Sequence, residues 1–95
     1  MRKIEKLFEK HDDEFLKFDR IEHKLSKRPD LHAFILLDGL LSGDDDMITS
    51  AEHDEIWLDV DLDELTKIIT EEQIIDLIRC GVMLDEEHEG FSMFV

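Results

Sequence analysis

Glu55, Asp59 and Asp61 alternate with aliphatic residues in the run His53-Asp54-Glu55-Ile56-Trp57-Leu58-Asp59-Val60-Asp61. On an extended chain that spacing puts the carboxylates and Trp57 on one face and Ile56, Leu58, Val60 and Leu62 on the other. Residues two apart on a strand are ~6.6–6.8 Å apart, comparable with the step between successive phosphates of a nucleic-acid strand. With Asp54, Asp63 and Glu64 beside it, the row offers electrostatic docking rather than bond making. It reads as a DNA-like surface for a basic groove on another protein, with Trp57 as an aromatic anchor of the kind enriched at interface hot spots. The competing expectation is that the N-terminal helix covers Trp57 and that the carboxylates only solvate a sheet edge.

Residues for bond making are poorly supplied. Asp85-x-Glu87-x-Glu89-Gly90 follows the opening of an EF-hand calcium loop, but the twelfth position falls past Val95 and Gly81 ends the preceding helix before the loop begins. These three acids are therefore weak candidates and no metal or cofactor is expected. His11, His23, His32, His53 and His88 show no ligand spacing, and one cysteine cannot build a structural zinc site. Cys80 stands beside Arg79, which would lower its pKa, yet no histidine is placed to serve it, and the expectation is a small apolar residue. Glu64-x-x-Lys67 is an ordinary helical pair. With 26 acidic residues among 95, a carboxylate pair carries no catalytic information. The chain reads as a non-enzyme. A Ca-, Zn- or Mn-binding protein, or a small metal-dependent enzyme, is the alternative.

Charge narrows the partners. Residues 1–28 hold nine Lys/Arg against seven Asp/Glu, and the remainder two against 19. A body so acidic repels phosphate and attracts basic protein surfaces, so direct nucleic-acid binding is not expected. The longest apolar run, Ala33 to Leu37, is too short for a bilayer, and the N-terminus lacks a signal-peptide core. A lone cysteine fits a reducing, cytoplasmic setting.

The elements that would position these residues form an α+β chain, expected as one domain of residues 1–95, an amphipathic segment 1–28 followed by an acidic body 29–95. Ile4, Leu7, Phe8, His11, Phe15, Phe18, Ile21 and Leu25 recur at three- and four-residue steps, which predicts one long helix over 3–25. Part of its seam, Phe8, His11, Phe15 and Phe18, either meets a second copy in a homodimer or folds back over its own sheet. Pro29 breaks the helix and Asp30 caps a second, apolar one that ends at Ser42-Gly43 and is the candidate buried central helix, with Gly39 at a close crossing. Gly43 to Asp46 is a charged turn, and Thr49-x-x-Glu52 matches a capping box for a helical turn. A strand over 55–60 follows, then helices at 62–69, capped by Asp61 and Glu64, and 71–80, capped by Thr70 and Gln73 and stopped by Gly81. Strands 82–84 and 91–95 close a hairpin through Asp85 to Gly90, making a three-stranded sheet.

His53-Asp54-Glu55-Ile56-Trp57-Leu58-Asp59-Val60 and Asp76-Leu77-Ile78-Arg79-Cys80-Gly81-Val82 resemble small acidic phage and prophage proteins. The resemblance implies a host-directed accessory protein. Together with the charge, it predicts an interaction module that docks on a basic partner surface, as a nucleic-acid mimic or inhibitor in its sharpest form.

Overall fold

The structure, a computed structural model, describes residues 2–94; the ends of the chain, Met1 and the expected strand position Val95, lie outside the described residues. Four helices and four strands make an α+β fold: α1 (Lys3–Lys10), α2 (Pro29–Leu40), β1 (Ile48–Glu52), β2 (Glu55–Leu58), α3 (Leu62–Ile68), α4 (Glu71–Arg79), β3 (Met83–Asp85) and β4 (Gly90–Phe94). The sheet is antiparallel in the order β1-β2-β4-β3. Among the described residues no helix is long and apolar enough to cross a membrane.

The cap chemistry behaves as the residue types dictate. Asp61 accepts the Glu64 N–H at 3.1 Å at the start of α3. Thr70 and Gln73 exchange both bonds of a capping box, at 3.1 and 2.9 Å, at the start of α4. Gly81 follows α4 with φ +94°, a conformation side-chain-bearing residues resist.

The core lies between the helices and one face of the sheet. Leu58 pairs with Phe91, and Phe91 with Leu84; Ile56 pairs with Met93. These side chains share a face, and Phe8 of α1 meets Phe91 there with ring centroids 5.4 Å apart. Ile74, Leu77 and Ile78 of α4 are at most 2% exposed, which makes α4 the central helix. The expectation for α2 is corrected. It buries His32, Ala33 and Leu37 but leaves Leu31 and Ile35 more than 40% exposed. Its apolar residues run round the whole circumference, and only one side has a body to meet. It starts at an Arg28 cap with Pro29 in the first turn and ends at Leu40, with Leu41 as its C-cap, ahead of Ser42. Gly39 has open space where a Cβ would stand, so no close crossing requires it.

The long helix over 3–25 is also corrected. α1 ends at Lys10, and 3-10 turns at Asp12–Glu14 and Phe18–Arg20 follow. Three consecutive carboxylates at the negative end of the helix oppose its continuation. Leu16, at φ +65°, then turns the chain so that its N–H reaches the Ile78 carbonyl at 3.2 Å. Glu14 fixes the bend between Arg79 (2.8 Å) and Arg20 (2.6 Å). These guanidiniums hold its carboxyl below the usual range, Arg79 most strongly, against the opposing effect of burial. The seam thereby wraps one body: Phe8 is buried, and Phe15 and Phe18 pack on the same core. His11 meets Glu71 at 2.6 Å.

Residues 48–52 are a strand, not a helical turn, so the sheet has four strands rather than three. β1 and β2 join through His53-Asp54, with His53 at φ +54° and a bulge between Ile48 and Ser50. The Thr49–Glu52 spacing satisfies a cap pattern locally, but pairing with β2 along the strand prevails.

Candidate interaction face

Register determines what β2 presents. With Ile56 and Leu58 in the core, Glu55 and Trp57 point to the opposite face. Glu52 and Ser50 of β1 are their partners on one side, Phe94 and Ser92 of β4 on the other. Ser50, Glu52 and Phe94 are exposed, whereas Ser92 is buried between its neighbours. Glu52 stands directly opposite Glu55, a like-charge pair that disfavours the hairpin end it occupies.

Trp57 is half-buried, and the β3–β4 turn covers it rather than the N-terminal helix. Its indole N–H donates to Asp85 Oδ2 at 2.8 Å, and the His88 ring lies 6.0 Å from it, centroid to centroid. Asp85 also accepts the His88 backbone N–H at 3.1 Å and meets His88 Nδ1 at 2.8 Å. Burial opposes the Asp85 charge, but these bonds outweigh it and hold the carboxyl below the usual range. The aromatic anchor is thus oriented before anything binds.

The six residues expected to meet a partner divide. Glu55 and Trp57 lie together on this face. β2 ends at Leu58, so the carboxylate row is not carried on to Asp59 and Asp61 as the expected strand to residue 60 required. Asp59 is exposed just beyond, its N–H bonded to the Met47 carbonyl at 2.7 Å. Asp61 is occupied as the α3 cap, Asp63 meets Arg2 at 2.9 Å and Glu64 meets Lys67 at 3.2 Å. Glu55 and Asp59 have no ion-pair partner among the described residues.

The turn acids also part company. Asp85 serves Trp57 and His88, Glu89 meets Arg2 at 3.0 Å, and Glu87 is exposed. Among the described residues no three His, Cys, Asp or Glu side chains gather as metal ligands. Cys80 packs as a small buried residue, and Arg79 does not lower its pKa. Its thiol is buried and pushed up to about 12, by burial first and by the charges of Asp76 and Asp30. Arg79 turns its guanidinium to Glu14 and Asp76 instead.

Sequence reasoning missed Ser50, Glu52 and the Asp85–His88 clamp. The signal for the first two is the spacer His53-Asp54: two residues between two extended runs is hairpin arithmetic. The clamp has no local signal, since Trp57 and Asp85 are 28 positions apart. Comparison with known protein families, with curated proteins and with solved structures finds no match.

Proposed function

We propose that this protein is an acidic interaction module that docks on a basic surface of a protein partner through the β2 face, with Trp57 as its anchor. One observation carries the proposal: Trp57 is fixed by Asp85 on the same face as the unpaired carboxylate of Glu55, so the anchor is ordered in advance beside a free charge. The like-charge pair Glu52–Glu55 fits this use, because a basic partner side chain placed between them relieves the repulsion. Mimicry of a phosphate backbone is the narrower form and calls for a regular row; with the row interrupted after Leu58, the broader form is the one retained. A bacterial partner is the first to test, in keeping with the phage resemblance.

Recovery of partners from bacterial lysate at low salt tests it. The recovered proteins should be basic and should be lost at ~0.5 M salt. Glu55→Lys with Asp59→Lys should abolish recovery without lowering the melting temperature, since neither carboxylate has an ion-pair partner among the described residues and the first change relieves the Glu52–Glu55 repulsion. Recovery that survives both changes refutes the proposal.

A further inference from the structure

We infer that the outer edge of β3, with the groove between it and α1, binds an extended segment in which apolar residues alternate with Lys or Arg, added to the sheet as a fifth strand. This rests on the reading of the protein as an acidic module for a basic partner and specifies how a segment of that partner is held.

The two edges of the sheet differ. β1 is interrupted by a bulge, and all five of its residues are exposed. β3 has neither a bulge nor a Pro, Lys or Arg. Among the described residues the backbone of Met83–Asp85 makes no hydrogen bond beyond its pairing with β4. An antiparallel strand paired on one side keeps a row of N–H and C=O groups pointing outward on the other, the template for strand addition.

Beside this edge runs a groove of about 800 Å³. Phe8, Phe15, Ile78 and Val82 line its apolar part. Beside these and β3 itself it is lined by Ser92 and by the carboxylates of Glu5, Glu9, Asp12, Glu55, Asp85 and Glu86, with no Lys, Arg or His. Glu9, Asp12, Glu55 and Glu86 have no ion-pair partner among the described residues. Four unpaired carboxylates with no lining cation select a basic occupant.

The sheet sets the occupant's period. Leu84 points to the helix side, where Phe8 packs, and Met83 and Asp85 to the open side, shared with Glu55. A strand laid beside β3 sends alternate side chains to these two sides. Those on the helix side meet Phe8 and Phe15 and must be apolar; those on the open side run along Met83 and Asp85, within the same acidic groove, and must be cationic.

The test uses the purified chain and a blocked peptide of about seven residues in which valine and lysine alternate, long enough to overrun β3 at both ends. Amide resonances of Met83–Asp85 should shift on titration and gain hydrogen-exchange protection. Affinity should fall at least about tenfold when the peptide is N-methylated on alternate amides, when its lysines become glutamates, and when the protein carries Glu9→Lys with Glu86→Lys. Binding indifferent to N-methylation, or shifts confined to residues around Trp57, overturns strand addition. If the peptide fails while basic partners are still recovered through the β2 face, this inference alone falls; if neither binds, both fall.

Discussion

Gly90→Ala sets two explanations of one glycine against each other. Within the acidic turn after Asp85, a glycine at that position suggests a residue needed for left-handed backbone. The left-handed residue of the turn is instead Glu89, at φ +54°. A Cβ at Gly90 would stand 2.7 Å from the Leu58 carbonyl oxygen, closer than side-chain carbons come to other atoms. That oxygen belongs to the backbone of the neighbouring strand, so the contact is relieved only if β2 and β4 part. Overpacking a tight interior costs about 1–3 kcal/mol, and a backbone obstacle at a buried position argues for about 2–3 kcal/mol. For a chain of this size each kcal/mol moves the melting temperature by about 4–8 °C, so a drop of about 10–20 °C is expected in a thermal melt followed by circular dichroism. Asn decides between the explanations. It tolerates left-handed geometry better than Ala, so a turn requirement makes Gly90→Asn the milder change, whereas close approach makes it at least as damaging. A melting temperature within about 2 °C of the parent, or Asn milder than Ala, refutes the close-approach account.

Asp85→Ala removes the acceptor that Trp57 and His88 share, and should cost about 1–2 kcal/mol while shifting Trp57 fluorescence to the red; unchanged emission would mean that the clamp does not order the indole. Cys80, with its thiol raised by burial to about 12, should react with a maleimide at least about a hundredfold more slowly in the folded chain than in denaturant, and equal rates would contradict its burial. His32 is buried, with Nδ1 accepting the Leu25 N–H at 3.0 Å and, among the described residues, no partner at Nε2. Burial pushes its pKa down, nearby Asp76 opposes that, and Lys24 adds to it. The unfolded chain therefore takes up this proton first as pH falls, so stability is whole above about 6.5 and is lost as pH drops toward the folded value. His32→Leu should flatten the stability profile in that window in urea titrations, and an unchanged slope would refute the assignment.

What could be read from the residues was whatever neighbouring residues decide. Asp61, Thr70 and Gly81 act on backbone groups within four positions, and each does what its side chain, or the lack of one, dictates. Periodicity told which N-terminal residues are apolar but not that the helix carrying them continues: Phe8, Phe15 and Phe18 reach one core because the chain bends at Leu16. β1 left no pattern because all five of its residues are exposed. Charge was legible as a total and illegible as a map, since acidity does not say which carboxylates are already neutralised. Arg2 takes Glu5, Asp63 and Glu89, and Arg79 takes Glu14 and Asp76. With 11 Lys/Arg against 26 Asp/Glu, cations spent on these contacts are withheld from the β2 face and the β3 groove, and both keep unpaired acid beside apolar side chains. Where the few cations are used therefore determines where a basic partner is attracted, and three of these five contacts join residues 60 and more positions apart, beyond the reach of any local motif.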